Sequence, residues 1–195
     1  VVALPYHSKV MRPVAVGRSN GADVQAYPVG NLVGESPCWH TGQGMLYWID
    51  VRGQQLLRLR PERDLVERWE LPDVVGALAL SQTGEVWLAL RHGLHAFDPV
   101  TRKLRLIAHV EAGRPDNRLN DGKVSPSGRW FVFGSMDDRP SKEATGALYC
   151  ASATGEVKKL WAGLVVANGI AFSADGRTLH FSDSARGLVF KAHGS

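Results

Sequence analysis

Residues 117–128, N-R-L-N-D-G-K-V-S-P-S-G, put a guanidinium (Arg118), a carboxamide (Asn120) and a carboxylate (Asp121) within four positions, just ahead of the aromatic run Trp130-Phe131-Val132-Phe133. Such groups converge where a chain holds a hard cation, a polar ligand or an attacking water. Asn-Asp-Gly is also ordinary turn punctuation between strands. Only recurrence of the same chemistry at a fixed interval separates the two readings.

That recurrence is present. Turn glycines ahead of a strong apolar run fall at Gly44, Gly84, Gly128 and Gly176, at intervals of 40, 44 and 48 residues, inside the phrases H-T-G-Q-G, S-Q-T-G, S-P-S-G and S-A-D-G. The interval is that of a propeller blade, a small sheet facing a central axis. Between the turns the chain is a succession of short apolar or alternating runs bounded by Gly, Pro, Asn or Asp. They are Leu46 to Ile49, Leu56 to Leu59, Val74 to Leu80, Val86 to Leu90, Gly93 to Phe97, Trp130 to Phe133, Ala147 to Cys150, Ile170 to Phe172 and Thr178 to Phe181. No segment of 11 or more residues holds a helical period, so the fold class is all-β.

Eight residues before Gly84, Gly128 and Gly176 stand Gly76, Asn120 and Asn168; nine before Gly44, with one extra residue in its turn, stands Glu35. Four residues further on comes an apolar residue each time (Trp39, Leu80, Val124, Phe172), as a core strand position requires. Glu35, Asn120 and Asn168 therefore fall at the mouths of the innermost strands, where blades converge. One oxygen-bearing side chain per blade makes a preorganised cage on rigid elements. Carboxylate and amide oxygens without histidine or thiolate suit Ca²⁺, Mg²⁺ or Mn²⁺, and Zn²⁺ also accepts carboxylate and water. Arg118, two positions before Asn120, is placed to grip a hydroxyl or carboxylate of a ligand. Asp137-Asp138 and the charged segment 139–145 read either as a lid over the channel or as a solvated acidic pair and loop.

Composition narrows the class. With 44% hydrophobic and 22% charged residues the chain can bury a core and is not a disordered tract. The formal charge is +4 and the pI about 9.3, yet the arginines and lysines are scattered, which argues against nucleic acid as a partner. The milder consequence is a field that favours anionic substrates such as sugar acids. No run of 18 apolar residues and no signal-peptide pattern occur, so no membrane partner and a cytoplasmic location are the expectations. Cys38 and Cys150 form no paired motif and read as small buried hydrophobes of a reducing compartment. Neither a G-x-S-x-G nor a Walker phrase is present, which removes the serine-hydrolase and P-loop readings. Residues 1–22 read as a poorly ordered lead-in, with Met11 as an alternative start, and residues 23–195 as a partial propeller.

Five phrases taken together, G-E-S-P-C-W (34–39), L-Y-W-I-D (46–50), N-R-L-N-D-G-K-V-S-P-S-G-R (117–129), G-A-L-Y (146–149) and N-G-I-A-F-S-A-D-G-R-T-L-H-F-S-D-S (168–184), resemble the senescence marker protein 30 (regucalcin), gluconolactonase and luciferin-regenerating enzyme family. The resemblance implies a six-bladed β-propeller of the lactonase type. It also implies one divalent metal ion (Ca²⁺, Zn²⁺, Mn²⁺ or Mg²⁺) in the channel and hydrolysis of a sugar lactone to the aldonic acid by metal-activated water. By the same likeness Glu35 and Asn168 match metal ligands, Arg118 and Asn120 match residues that contact substrate or metal-bound water, and Asp138 matches an acidic lid residue that touches substrate. The family's Pro-Asp-Gly, whose aspartate is both ligand and base, finds no match before Ser195, so no catalytic residue is expected within this chain. At roughly 45 residues per blade, 23–195 supplies about four blades. The expectation is a C-terminally truncated, open arc whose strand edges invite self-association. Two functions follow: a metal-dependent lactonase, or a non-catalytic metal-binding or interaction propeller.

Overall fold

All the strand runs read from the sequence are present in the computed structural model, which describes residues 1–19 and 22–193. Short strands β1 (Val2–Ala3) and β2 (Tyr6–Val10) and a hairpin of β3 (Val14–Ser19) with β4 (Ala22–Ala26) precede four antiparallel blades. Blade 1 contains β5 (Gly34–His40), β6 (Met45–Asp50), β7 (Gln55–Arg60) and β8 (Leu65–Glu70). Blade 2 contains β9 (Val75–Leu80), β10 (Val86–Leu90), β11 (Gly93–Asp98) and β12 (Lys103–His109). Blade 3 contains β13 (Asn117–Val124), β14 (Trp130–Asp137), β15 (Gly146–Ser152) and β16 (Val157–Leu164), and blade 4 contains β17 (Ala167–Phe172), β18 (Thr178–Asp183) and β19 (Leu188–His193). Among the described residues no helix is long and apolar enough to cross a membrane.

The lead-in differs from its sequence reading. Val2 and Ala3 pair with Leu104 and Lys103 on the outer edge of blade 2, and Tyr6–Val10 pairs with Leu65–Trp69 on the outer edge of blade 1. Between them Leu4 is buried, its N–H bonded to the Arg102 carbonyl, and the Tyr6 hydroxyl donates to Glu67. An edge strand is paired on one side and mostly solvated, so it carries little alternation for a sequence reading to find. The outer strand β16 went unread for the same reason, since six consecutive residues on it are exposed.

Strand alternation turns each blade into a two-faced slab. From blade 1, Tyr47, Ile49, Leu56 and Trp69 pack against Val75, Leu78, Val86, Leu88 and Phe97 of blade 2. Small residues on the other face of blade 2 (Ala77, Ala79, Ala89) receive Phe131, Phe133 and Tyr149 of blade 3. Val132, Leu148 and Cys150 then meet Ile170 and Phe181 of blade 4. Each buried aromatic or branched side chain contributes about 1.5–3 kcal/mol of burial. The far face of blade 1 (Leu57, Leu59, Val66) is covered by Met11, with Tyr27 and Val29 alongside. Trp39, expected in the core, shares that face as the cross-strand partner of Leu46 and is 52% exposed, because the cover stops short of it.

Near the axis the blades approach to backbone contact. A Cβ on Gly76 would strike the Leu119 carbonyl and lie 2.8 Å from the Asn120 Cα. Blade 2 thus has a glycine in the register that carries Glu35, Asn120 and Asn168 in the other blades because the inner strand of blade 3 occupies that space. Gly76→Ala is expected to cost about 1–3 kcal/mol through overpacking. Gly113→Ala, whose Cβ meets nothing within 4 Å, serves as control. Urea midpoints measure both; equal midpoints for the two variants would contradict the contact.

Candidate functional site

Each inner strand is interrupted at the same place. In blade 1 the pairing slips between Glu35 and Cys38, in blade 2 opposite Ala89 and Leu90 so that Gly76 is skipped, in blade 3 between Asn120 and Gly122, and in blade 4 between Asn168 and Ala171. These are β-bulges, and in blades 1, 3 and 4 the residue after the site residue is left-handed: Ser36 (φ 52°), Asp121 (φ 43°) and Gly169 (φ 61°). A bulge bends its strand and re-aims the adjoining side chain. The turn-like residues in E-S-P, N-D-G and N-G therefore sit within strands, where they redirect Glu35, Asn120 and Asn168 rather than end the strands.

Buried aspartates hold the strand entrances. Asp50, the last residue of β6, accepts from the backbone N–H of Leu32, Val33 and Gly53 at 2.9–3.0 Å and from the Asn31 amide, which fixes the segment leading into Glu35. Asp183 stands at the equivalent point of blade 4. It accepts from Val165 N–H (2.7 Å), Val166 N–H (3.2 Å) and the Arg186 side chain (2.8 Å), which fixes the segment leading into Asn168. Burial alone would raise these carboxyls, but the donors win and hold both below the usual aspartate range.

Blade 3 binds its neighbours through the residues of its own bulge. The Asn120 amide donates to the Ala167 carbonyl at 2.8 Å, and Asp121 accepts from the Ile170 N–H at 2.9 Å, so Asn168 is bracketed by two bonds from β13. Arg118 donates from Nη1 to the Asn120 Oδ1 (2.8 Å) and the Leu119 carbonyl (3.0 Å). Glu35 has no hydrogen bond from the described residues. Desolvation raises its pKa, the Arg118 charge opposes this and Asp121 adds to it. Burial likewise pulls Arg118 below its ordinary value, with Asp138 opposing.

Glu35, Arg118, Asn120 and the surroundings of Asn168 thus belong to one axial neighbourhood, while among the described residues Asn168 Oδ1 accepts only from Gly169 N–H, 3.0 Å away. Asp138, which the sequence suggests as a lid residue, lies among arginines of three blades. Its carboxylate is only 10% exposed and accepts from Arg52, Arg91 and Arg118. The segment after it is tied back by Arg139, whose guanidinium grips Asp137 at 2.7 Å, and by Lys142 on the Asp137 carbonyl. The sequence reading did not single out Arg52 and Arg91, which look like two of many scattered arginines, and it gave Asp121 no site role.

Could the mouth hold a divalent cation? Glu35 offers an exposed carboxylate with no hydrogen bond from the described residues, Asn168 an amide oxygen bonded only to its neighbouring N–H among them, and Asp121 a second negative charge close by. That donor set fits a hard cation. Among the described residues no three His, Cys, Asp or Glu side chains cluster at metal-binding separation, so the ion would rest on one carboxylate with amide oxygens.

Fold and mouth together define a β-propeller with a polar axial site. The chain belongs to the SMP-30/gluconolactonase/LRE-like family, whose sequence profile matches residues 33–195. It is 32% identical over 163 residues to regucalcin of Xenopus laevis, covering 82% of this chain and 53% of that protein. It is 34% identical over 163 residues to the L-arabinolactonase of Azospirillum brasilense, covering 82% and 54%. The crystal structure of a calcium-binding protein, regucalcin, from Agrobacterium tumefaciens superimposes with a TM-score of 0.79 at 31% identity, covering 85% of this chain and 55% of that one. A luciferin-regenerating enzyme, at TM-score 0.77 and 24% identity over 85% and 57% of the two chains, shares the fold. The chain spans about half the length of the curated relatives it matches.

The aspartate anchors make a pH-dependent prediction. Asp183→Asn is expected to cost about 1–3 kcal/mol at pH 7 by weakening charge-assisted bonds. Because the folded carboxyl is held low, the wild-type advantage is complete above about pH 5 and shrinks progressively below about pH 4. Urea titrations of both proteins at pH 7 and pH 3 measure it; a gap that does not narrow in acid would refute the anchoring role.

Proposed function

We propose that this chain carries the metal- and substrate-binding mouth of a divalent-metal-dependent sugar lactonase, in which water opens the ring ester of a lactone to give the aldonic acid. The observation that carries the reading is Glu35, an exposed carboxylate at a strand mouth with no hydrogen bond from the described residues, within electrostatic reach of Arg118, which donates to Asn120, whose amide in turn donates to the Ala167 carbonyl beside Asn168. Similarity to proteins named L-arabinolactonase and 6-deoxy-6-sulfogluconolactonase supports the choice of a sugar lactone.

Glu35 and Asn168 would hold the ion. Calcium, zinc, manganese and magnesium are all compatible with oxygen donors. When bound, such an ion supplies Lewis acidity, polarising a carbonyl and lowering the pKa of coordinated water from about 16 toward about 7. The protein supplies position. Arg118 and Asn120 offer N–H donors at the mouth for lactone oxygens, and the bulge geometry fixes both before the ligand arrives. Bonds from Asn120 and Asp121 to the backbone of β17 hold the strand that carries Asn168 against the strand that carries Arg118 and Asn120.

The test is hydrolysis of glucono-δ-lactone by the chelator-treated protein, titrated with Ca²⁺, Zn²⁺, Mn²⁺ and Mg²⁺. Turnover should return with metal, and Glu35→Gln and Asn168→Ala should each lower kcat/KM by about 100-fold or more, since losing a ligand costs at least as much as losing the outer-shell contact that supports one. Metal binding without turnover would favour a binding module over an enzyme. Turnover indifferent to chelator would overturn the metal-site assignment.

A further inference from the structure

Asp138 holds more guanidinium contacts than one carboxylate needs for neutrality. Arg52, in the β6–β7 turn of blade 1, donates to it from both terminal nitrogens, Nη2 to Oδ1 at 2.7 Å and Nη1 to Oδ2 at 3.2 Å. Arg91, in the β10–β11 turn of blade 2, reaches Oδ2 at 3.4 Å and is itself held by Asp73 at 3.1 Å. From blade 3, Arg118 donates Nε to Oδ1 at 3.0 Å. The side-chain exposures fall in order, Arg52 45%, Arg91 25% and Arg118 9%, so the cluster runs from solvent inward and ends on the one arginine that touches Asn120.

We propose that Arg52 and Arg91 are positioning residues for Arg118: reaching across from blades 1 and 2, they fix the Asp138 carboxylate, which aims the Arg118 guanidinium and through it the Asn120 amide. An unrestrained arginine carries about 2 kcal/mol of rotamer freedom. With Nε on Asp138 and Nη1 on Asn120 and Leu119, that freedom is removed before any ligand arrives. Nη2 of Arg118 has no hydrogen bond to the described residues and is the donor left for a ligand. The other charges facing the cluster, Glu35, Asp121 and Asp73, lie toward the axis or on Arg91, and none of them restrains Arg118 by a hydrogen bond. Asp138 itself, its two oxygens already shared among three arginines, acts on a ligand through Arg118. For its kinetic readout the inference rests on the lactonase reading above.

Arg52→Gln and Arg91→Gln each leave Asp138 with two guanidiniums, so both variants are expected to fold, with Tm within a few degrees of wild type. On glucono-δ-lactone each should raise KM about tenfold, the lower end for losing a supporting contact, with a smaller change in kcat. Arg52→Lys should recover part of the loss. The deciding comparison is Arg52→Gln in an Arg118→Gln background, where it should change KM no further. The same fold-change in both backgrounds, or a loss of Tm with KM unchanged, would reduce the cluster to a structural ion pair and overturn the proposal. If the wild type hydrolyses no lactone, the lactonase reading fails while the clamp stays decidable by calorimetric titration with D-gluconate. Weaker binding in Arg52→Gln that vanishes in the Arg118→Gln background supports it; equal weakening in both, or no binding to the wild type, overturns it.

Discussion

The geometry of the site depends on a bulge repeated in every inner strand. A regular strand alternates its side chains between two faces, and in a propeller both faces are consumed by packing against neighbouring blades. A residue that must point along the axis needs the alternation broken, and a bulge does this with one left-handed residue. Ser36 and Asp121 adopt that conformation with a side chain present, at about 1 kcal/mol or more each, the cost of a non-glycine residue in the left-handed region. Asp121 recovers part of it by bonding across to Ile170.

Blades share almost no ladder. Among the described residues, apart from a single bridge between Met136 and Val166, the sheets meet through side chains and a few polar bonds near the axis. Close approach at Gly76 and the bonds from Asn120 and Asp121 to β17 fix the inner strands against one another, while Asp50 and Asp183 fix their entrances. Against this satisfied frame Glu35 stands out as a carboxylate for which the described residues provide through-space charge but no hydrogen-bond donor. A bound cation would supply the donorless carboxylate with a counter-charge close to its oxygens.

Much of this was legible in the sequence. The glycine turns gave the repeat, the repeat gave the all-β propeller, and counting back from the turns placed Glu35, Asn120 and Asn168 in one register. Asn-Asp-Gly could not be resolved locally, because a turn and a bulge use the same residues for the same conformational reason, and only the pairing on both sides of Asp121 distinguishes them. Gly76 looked like a gap in the register and is a steric consequence of the Leu119 carbonyl. Strands β1 and β2 were illegible because edge pairing leaves little periodic trace. Arg52, Arg91 and Asp138 are 39 to 86 positions apart in sequence and meet only because three blades turn their loops to one mouth. No local pattern can announce such a cluster.

The central claim is that bulged inner strands aim Glu35 and Asn168 at one cation. Crystals grown or soaked with Mn²⁺, measured near the manganese absorption edge, test it most directly. The account predicts a single strong anomalous peak within about 2.0–2.6 Å of a Glu35 carboxylate oxygen and the Asn168 Oδ1, the range for oxygen donors to divalent ions. Glu35→Gln should weaken or remove that peak. A peak elsewhere, or one on Glu35 that leaves Asn168 uninvolved, would contradict it.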